Sequence, residues 1–394
     1  MVDADEWSVS ENGGDCTRTT DFPVFDQAGR CRSDGRLNQP WGLVYNSQRY
    51  VCNAISDAQY ARFLCGLWPC VRYGYQKLSE INTIRVGVIG VGYLGRIHTK
   101  IYARMPEVEL VGVADIDSNA ASSVAQQYEC KSYTDPNALL GQVDAVSIVV
   151  PTVVHKEVSL PYLATGVHVL LEKPVADTVK DAEVIIEEAE KRNVVLQIGH
   201  LERFNAGVMT LADLVRVPRF IEVHRLSTFV ERATDVDVVT DLMIHDIDIV
   251  LSLVRSELSC VSAMGTPVVT DHVDIANARL EFKNGAVANV TASRVSNKKF
   301  RRIRIFSEDG YRALNFTDQQ IDIVKTGKRQ DGRKYPDIIN EQLAVEHSQP
   351  LDAELQHFVD TVRTNGVPLV GGRDGLEALK VAIQVKEKIH SSFS

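Results

Sequence analysis

The spacing of hydrophobic residues changes along the chain. From Thr83 to His200, short continuous apolar runs alternate with amphipathic helical patterns. Runs such as VELVGVADID, DAVSIVVPT, VHVLLEK and VVLQIGH lack the strict alternation of a half-exposed strand, so we expect both of their faces to be buried. Strands that alternate with helices are typical of a parallel sheet covered on both sides. We therefore predict a doubly wound α/β domain over residues 83–201.

After His200 the pattern becomes that of an α+β domain. A long helical pattern, VTDLMIHDIDIVLSLV, precedes alternating runs that are joined by Asn284-Gly285 and Asp309-Gly310. Both dipeptides favour tight hairpin turns. The sequence thus predicts an open antiparallel sheet within residues 202–394. The last helical pattern, GLEALKVAIQVKEKIH, is expected to pack back on the first domain.

Residues 1–82 differ from everything that follows. They are rich in Gly, Asp, Asn, Arg and Cys, and their periodicity is weak apart from a helical pattern in AISDAQYARFLCGLW. We find no catalytic motif there. The segment is interpreted as a poorly ordered extension, or as upstream sequence included by a wrong start site. The alternative is a redox or partner-binding module.

Composition and charge narrow the function further. The net charge of −9 over 394 residues argues against a nucleic-acid partner. No apolar run is long enough to cross a membrane, and the first twenty residues lack the apolar core of a secretory signal. The seven cysteines follow no metal-ligand or disulfide spacing. We expect a reduced, cytoplasmic protein without a metal site.

One basic stretch, NKKFRRIRIF, stands out at residues 297–306. Its alternation predicts a strand with Arg302 and Arg304 on one face and Ile303 and Ile305 on the other. Two interpretations of these arginines stay open. They either form a solvated face of the sheet or anchor a phosphorylated substrate.

A glycine-rich turn follows the first buried strand and opens a helix. Gly90-Val91-Gly92-Tyr93-Leu94-Gly95 has the G-x-G-x-x-G spacing in the context that dinucleotide binding requires. Gly90 is expected to form the tight turn, Gly92 to let the backbone approach a pyrophosphate, and Gly95 to let helix and strand pack closely. The helix N-terminus adds unpaired N–H groups and a positive dipole for the phosphates. The sequence therefore predicts a dinucleotide site at this turn.

An acidic residue at the end of the second strand identifies the dinucleotide. Asp115 lies about 20 residues beyond the glycine turn, where a carboxylate binds the adenosine ribose. A carboxylate accepts hydrogen bonds from a 2′-hydroxyl and repels a 2′-phosphate, and the next residues, Ile116 and Asp117, supply no arginine. We therefore predict NAD rather than NADP.

Polar residues follow three further strands of the predicted sheet. In an open doubly wound sheet, ligands bind beyond the carboxyl ends of the strands. The residues expected there, at the cofactor, are Pro151, Thr152, His155, Glu172, Lys173 and Pro174, followed by His200. Lys173 is expected to point at the nicotinamide, because a lysine beside a buried strand needs a partner for its ammonium.

A helical stripe in the second domain offers partners for Lys173. Asp241, His245 and Asp248 have the i, i+4, i+7 spacing of one helix face. Such a stripe can also be a solvated edge or a set of metal ligands. We favour catalysis, because a histidine can take a hydroxyl proton and a nearby lysine can polarise the same oxygen.

These motifs together resemble the Gfo/Idh/MocA oxidoreductases. The similarity rests on the glycine turn, on EKPVA at residues 172–176 and on the D-x-x-x-H of Asp241 and His245, and it runs from about Ile84 to Ile389. It implies an NAD(P)-binding Rossmann domain, a substrate domain with an open sheet, and oxidation of a sugar or cyclitol hydroxyl. It also implies a homo-oligomer, a dimer or tetramer paired through the open sheet face. Lys173 and His245 become the acid/base pair, with either one as the base, and Asp241 orients.

Three segments, GHLERFNA, DLMIHDIDIVLSLV and VSNKKFRRIRIFSEDGY, are similar to the subgroup of UDP-N-acetylglucosamine 3-dehydrogenases. That similarity implies oxidation of the sugar 3-hydroxyl ahead of amination, on the way to a diamino sugar in lipid A. It assigns His200, Arg203 and Asn205 to the substrate pocket, although Arg203 can equally form a structural salt bridge. The alternatives are an inositol or free-sugar dehydrogenase, a non-catalytic NAD(H)-sensing regulator, and a structural partner-binding protein.

Overall fold

The structure is a computed structural model that describes residues 83–231, 236–346 and 348–392, with four short strands nearer the N-terminus. The chain divides into two units, Met1–Glu80 and Ile81–Ser394. In the first unit, Ser8–Val9 pairs with Cys16–Thr17 and Leu43–Asn46 pairs with Arg49–Cys52, both antiparallel. The helix predicted in AISDAQYARFLCGLW lies outside the described residues. In the part of the chain that is described, no helix is long and apolar enough to cross a membrane.

A six-stranded parallel sheet forms the first lobe of the second unit. Its strands are β1 (Ile84–Ile89), β2 (Val108–Ala114), β3 (Lys131–Tyr133), β4 (Ala145–Ile148), β5 (His168–Glu172) and β6 (Leu196–Gly199). Its helices are α1 (Tyr93–Tyr102), α2 (Ser118–Gln127), α3 (His155–Ala164) and α4 (Val179–Arg192). The strand order is β6-β5-β4-β1-β2-β3, so the direction of winding reverses between β1 and β4. That reversal opens a crevice at the carboxyl ends of the strands.

The central strands of this lobe are buried on both faces, as their continuous apolar runs predict, whereas the edge strand β3 is mostly exposed. Val86, Val88 and Val146 are 0% exposed. Burial of one such side chain contributes about 1.5–3 kcal/mol. The sheet is therefore a rigid base from which the loops at its carboxyl edge project.

An eight-stranded, mostly antiparallel sheet forms the second lobe. Its strands are β7 (Phe220–Leu226), β8 (Leu258–Thr266), β9 (Ile275–Phe282), β10 (Val287–Ser293), β11 (Phe300–Ser307), β12 (Gly310–Asn315), β13 (Gln320–Thr326) and β14 (Ile338–Ala344). The order is β8-β9-β10-β7-β11-β12-β13-β14, and only β7 and β10 pair in parallel. Both predicted hairpins are confirmed, with Gly285 at a φ of 82° and β11 joined directly to β12.

Helices cover one face of this sheet. They are α5 (Ala206–Leu214), α6 (Ile244–Val254) and α8 (Gly372–Ser391), and α7 (Pro350–Thr364) packs against the first lobe. Ile221, Ile303 and Leu314 point to the covered face and are 0% exposed. On the opposite face Met264 is 71% exposed and Phe300 is 41% exposed. The predicted fold class, a doubly wound parallel sheet with an α+β domain, is confirmed.

The last helix joins the two lobes. Near its start, Leu376 and Leu379 belong to the core of the parallel sheet, and further along, Val381 and Val385 belong to the core of the second sheet. Arg373 also forms an ion pair of 2.7 Å with Glu190 of α4. Helix α8 therefore packs against both lobes, and its side chains can contact residues at the border between them.

Candidate active site

The glycine turn leaves no room for a side chain at two of its three glycines. Gly90 has a φ of 85°, and a Cβ there would lie 2.2 Å from the carbonyl oxygen of Val149. A Cβ on Gly95 would lie 1.9 Å from the carbonyl oxygen of Gly90. On Gly92, the N-cap of α1, a Cβ would meet no described atom within 4 Å. Gly90 and Gly95 are thus needed by the fold itself, whereas Gly92 keeps the surface above the helix open. The side chain of Tyr93 is exposed there, and Leu94 is half-buried.

Asp115 follows β2 and faces the glycine turn. Its carboxylate accepts hydrogen bonds from the N–H of Val91 at 2.7 Å and the N–H of Asp117 at 2.9 Å. These bonds hold the carboxylate beside the turn. Ile116, the next residue, is 91% exposed. A rigid carboxylate next to an exposed apolar side chain suits the ribose and the adenine of a dinucleotide.

The structure brings two of the three residues predicted after β4 to the surface. Pro151 is exposed and Thr152 is half-buried at the start of a short helical turn, Thr152–Val154. His155 is instead 0% exposed. Its ring nitrogens lie 3.0 Å from the carbonyl oxygen of Pro174 and 2.9 Å from that of Val150. His155 therefore ties together the loops that follow β4 and β5, and its ring does not reach the open crevice.

Glu172 closes β5 with its carboxylate turned into the first lobe. One carboxylate oxygen lies 3.4 Å from Nε2 of His98, and the other accepts a hydrogen bond of 3.3 Å from the N–H of Lys173. A Cβ on Gly199 would lie 2.9 Å from this carboxyl group, so a larger residue there would require the Glu172 side chain to shift. Glu172 thus fixes the backbone that carries Lys173. The Lys173-Pro174 peptide bond that follows is cis.

Lys173 meets the second lobe. Its ammonium donates to the carbonyl oxygen of Asp241 at 2.8 Å and lies 3.4 Å from that of Thr240. The carboxylate of Asp241 is 3.9 Å away. The lysine side chain is 18% exposed. Three oxygen atoms on one short segment therefore hold this ammonium at the border between the lobes.

That segment is a π-helical turn, Val239–Met243, placed directly before α6. The sequence predicted one regular helix, so this irregularity is a difference from the prediction. A π-turn adds a residue to the helical repeat, and such turns are frequent at functional sites. Its consequence is that Asp241 and His245 are not one regular turn apart. The backbone of Asp241 faces Lys173, and the ring of His245 lies deeper, with 8% of the residue exposed.

Two buried imidazoles face each other below Lys173. The rings of His200 and His245 meet edge to face with their centroids 6.0 Å apart. Neither ring nitrogen of His200, nor Nδ1 of His245, has a hydrogen-bond partner within the described residues. Burial and the nearby ammonium of Lys173 lower the pKa of His200 to about 3 and hold the pKa of His245 well below its usual range. Both rings are therefore neutral at physiological pH, and each carries one unprotonated nitrogen.

The other predicted pocket residues have partners of their own. Arg203 lies 3.3 Å from the carboxylate of Asp248 and from the carbonyl oxygen of Leu369. Asn205 caps α5 by accepting the N–H of Gly207 at 3.0 Å. Burial raises the pKa of Asp248 to about 7, although Arg203 opposes the shift. Arg203 and Asp248 thus form an ion pair that is mostly shielded from solvent. The side-chain oxygen of Asn205 is used to cap helix α5.

Sequence reasoning missed a second buried charge cluster. Arg225 and Arg301 are direct neighbours on β7 and β11. Arg225 bonds both carboxylate oxygens of Asp246, at 2.7 and 2.8 Å, and both arginines contact Glu202, at 3.2 and 2.6 Å. Nε and Nη2 of Arg301 have no hydrogen-bond partner within the described ranges. The two guanidinium groups also contribute to the low pKa of His245.

Arg302 and Arg304 point to the opposite face of β11, as the alternation predicted. Arg302 donates to the hydroxyl of Tyr311 at 3.0 Å, and Arg304 forms an ion pair with Glu222. Arg301 therefore lies on the other face of β11, the face that α6, the helix of His245, covers. Its partner Glu202 is far away in sequence, so alternation alone gave no signal for this role.

The crevice fits a dinucleotide. The space above Gly92, the N–H groups at the start of α1 and the fixed carboxylate of Asp115 together match the pyrophosphate and ribose of such a ligand. Residues 84–200 match the family model described as the oxidoreductase family, NAD-binding Rossmann fold. Residues 212–312 match that of the GFO/IDH/MocA C-terminal domain. This chain belongs to the Gfo/Idh/MocA oxidoreductase family.

Individual relatives agree with the family. The chain is 37% identical over 309 residues to UDP-N-acetylglucosamine 3-dehydrogenase of Acidithiobacillus ferrooxidans, which covers 78% of this chain and 98% of that enzyme. A solved structure of that enzyme has a TM-score of 0.73 at 36% identity, over 78% of this chain and 98% of the other. Myo-inositol 2-dehydrogenase of Thermotoga maritima is 26% identical, over 79% of this chain and 98% of that enzyme.

A more distant structure shares the fold. It is the scyllo-inositol dehydrogenase of Lactobacillus casei, solved with NAD(H) and scyllo-inositol. It is 20% identical, with a TM-score of 0.67, over 79% of this chain and 98% of that chain. The chain is accordingly a dehydrogenase that acts on CH–OH groups, with an NAD-binding Rossmann domain. The 82 residues before this domain lie outside both family matches.

Proposed function

We propose that this protein oxidises the 3-hydroxyl of UDP-N-acetylglucosamine to a ketone with NAD. The observation that carries the proposal is the meeting of Lys173 with the π-turn beside a neutral, buried His245. An ammonium and an imidazole on opposite lobes are the two groups that alcohol oxidation needs. NAD, when bound, supplies the acceptor for the hydride that leaves the sugar carbon.

Each residue has a distinct role in this proposal. Lys173 donates a hydrogen bond to the reacting oxygen and stabilises its negative charge as the proton leaves. His245 accepts that proton, because its low pKa keeps the ring neutral before the reaction. Asp241 orients Lys173 through its carbonyl and carboxylate. His200 offers two further nitrogens for substrate hydroxyl groups.

The cofactor assignment rests on Gly92 and Asp115. An open approach to the start of α1 suits the pyrophosphate, and the carboxylate of Asp115 suits a ribose with an unmodified 2′-hydroxyl. We propose NAD over NADP for the same reason. Comparable catalytic efficiency with both cofactors would contradict this preference.

The nucleotide part of the substrate is proposed from similarity and charge. The 37% identity to a UDP-N-acetylglucosamine 3-dehydrogenase favours a nucleotide sugar over a free polyol. Arg225 and Arg301 add positive charge near His245, which favours a substrate that carries phosphate groups. The 3-keto product would then be aminated, on the way to a diamino sugar of lipid A. The second candidate is oxidation of an inositol or free sugar, which the more distant inositol dehydrogenases favour.

We also propose a cytoplasmic location and a homo-oligomer of two or four chains. The reaction depends on a nicotinamide cofactor that other enzymes must recycle. The open sheet face carries the exposed Met264 and Phe300 and the ring pair Phe306 and Tyr311, together with the charged Arg302 and Arg304, and we propose that this face pairs with another copy. Light scattering after size-exclusion chromatography is expected to give the mass of two or four chains, and a monomer would contradict the proposal.

One experiment tests the substrate directly. Purified protein is incubated with NAD and a panel of sugars with and without UDP, and the absorbance of reduced cofactor is followed. We expect turnover with UDP-N-acetylglucosamine, a product lighter by two hydrogens in mass spectrometry, and a ketone at C3 by NMR. Turnover of a free polyol without turnover of the UDP-sugar would support the second candidate instead. No oxidation of any sugar or polyol would refute both.

A further inference from the structure

The π-turn that receives Lys173 is itself held by the C-terminal helix. Lys386 of α8 reaches across to this turn, and its ammonium lies 2.9 Å from the carboxylate of Asp237 and 3.4 Å from the hydroxyl of Thr240. The carboxylate of Asp237 accepts the N–H of Thr240 at 2.9 Å and its hydroxyl at 3.2 Å. Thr240 is thus fixed by an anion and a cation at the same time.

These contacts form one continuous path from α8 to Lys173. Lys386 binds Asp237, Asp237 binds the amide and hydroxyl of Thr240, and the carbonyl oxygens of Thr240 and Asp241 bind Lys173. Every step is a direct polar contact. Asp237 is 16% exposed and Lys386 is 38% exposed, so the ion pair is partly shielded from water.

The same residues enclose a small cavity behind the lysine. Pro174, Thr240 and Lys386 line it together with apolar side chains of α8. The cation of Lys386 therefore lies close to the loop that carries Lys173, on the far side of the π-turn. Lys386 also lies beyond the residues matched by the family models, which end at 312.

We propose that Lys386 is a positioning residue for the reaction, which sets the place of the π-turn and the electrostatic environment of Lys173 through Asp237. The inference rests on the proposed role of Lys173. Its physical basis is that a π-turn exposes carbonyl oxygens whose direction depends on how its ends are held. A displacement of about 1 Å at a reacting group can cost about 100-fold in rate.

The ion pair also acts on Lys173 through charge. Removal of the Lys386 cation leaves the Asp237 carboxylate uncompensated, so protonated Lys173 becomes more favourable and its pKa rises. Removal of the Asp237 carboxylate has the opposite effect. Among the described residues, titratable groups near Lys173 include Asp241 on the π-turn, Glu172 directly before the lysine in the chain, and the imidazoles of His200 and His245. Neither substitution changes any of these groups.

The test compares Lys386→Met and Asp237→Asn with Lys388→Met, a control on the same helix at an exposed position. The protonation of Lys173 is measured without substrate, by competitive acetylation with acetic anhydride across a pH series and peptide mass spectrometry. We expect the pKa of Lys173 to rise by about half a unit in Lys386→Met, to fall by a similar amount in Asp237→Asn, and to stay unchanged in the control.

Sugar oxidation gives the second readout. In both variants kcat is expected to fall about 10-fold while KM for the sugar changes little, because Lys173 is misplaced and the pocket remains. Lys386→Arg, which keeps the charge, should behave as the unmodified protein. The inference is wrong if the acetylation of Lys173 is the same in Lys386→Met and Lys388→Met. It is also wrong if Lys386→Met and Asp237→Asn shift the pKa of Lys173 in the same direction. Should no sugar react, the acetylation series still decides it and the failure belongs to the proposed function.

Discussion

Replacing Gly92 by alanine is expected to separate cofactor binding from folding. Gly92 has φ −63° and ψ −159° as the N-cap of α1, a negative φ that alanine adopts without strain. The added methyl group meets no described atom within 4 Å. Alanine is a poorer N-cap residue than glycine, which destabilises the folded protein. Alanine also lowers the conformational entropy of the unfolded chain, which stabilises the folded protein. The free energy of unfolding should therefore change by less than about 1 kcal/mol.

The same methyl group lies where a pyrophosphate has to approach the backbone. A carbon atom there keeps the phosphate oxygens from the N–H groups at the start of α1. We expect the dissociation constant for NAD to rise by about 10- to 100-fold, which corresponds to about 1.4–2.8 kcal/mol of binding free energy.

Gly95→Ala is the matched comparison. Its Cβ would lie 1.9 Å from the carbonyl oxygen of Gly90, a backbone atom that cannot rotate away. The turn or the helix must shift, and the expected loss of stability is about 3 kcal/mol. This variant should lose stability and NAD affinity together.

Calorimetric titration with NAD and urea unfolding of both variants decide the matter. We expect the Gly92→Ala protein to be stable but to bind NAD weakly, and the Gly95→Ala protein to be unstable. Unchanged NAD affinity in Gly92→Ala would show that the dinucleotide does not approach the backbone at this residue, and it would refute the assignment of the turn.

Three further experiments test the chemistry. Lys173→Ala or His245→Ala should lower turnover by about 10²–10⁴-fold while calorimetry still detects NAD binding, and near-normal turnover in both would defeat the assignment. Burial raises the pKa of Asp248 to about 7, above the unfolded value of about 3.9, so the folded state binds more protons between these values and stability falls as the pH rises from about 4 to 7. Asp248→Asn should remove up to about 4 kcal/mol of this dependence, as measured by urea unfolding at pH 4.5 and 8. Arg301→Lys should raise KM for a UDP-sugar about 10-fold, whereas Arg302→Lys on the other face should not, and equal effects would argue against a phosphate contact at Arg301.

The glycine turn and Asp115 could be predicted because their requirements are local. A turn with φ of 85° at Gly90 and close packing at Gly95 depend on residues within one strand–turn–helix unit. Likewise, the alternation in β11 assigned Arg302 and Arg304 to one face, since side chains in a strand point to alternate sides. Such rules need no knowledge of distant parts of the chain.

Partners that are distant in sequence could not be predicted in this way. Glu202 meets Arg301 from a distant part of the chain, and Lys386 meets Asp237 from the last helix. For His155, the direction of the side chain could not be predicted either. Its position after a strand suggested a cofactor contact, but carbonyl oxygens from two loops enclose its ring. The position of a residue after a strand predicts that it lies at the carboxyl edge of the sheet. It does not predict the direction in which its side chain points.

The charges of the site explain why lysine and histidine are paired in it. Three cations within one buried pocket would repel each other, and burial disfavours each of them. Lys173 keeps its ammonium bound because carbonyl oxygens of the π-turn accept its hydrogen bonds at the border of the lobes. His200 and His245 lie deeper, and burial together with the nearby ammonium keeps their rings neutral. The same arrangement therefore provides a donor for a developing alkoxide and an acceptor for its proton, and each group favours the state that the other requires.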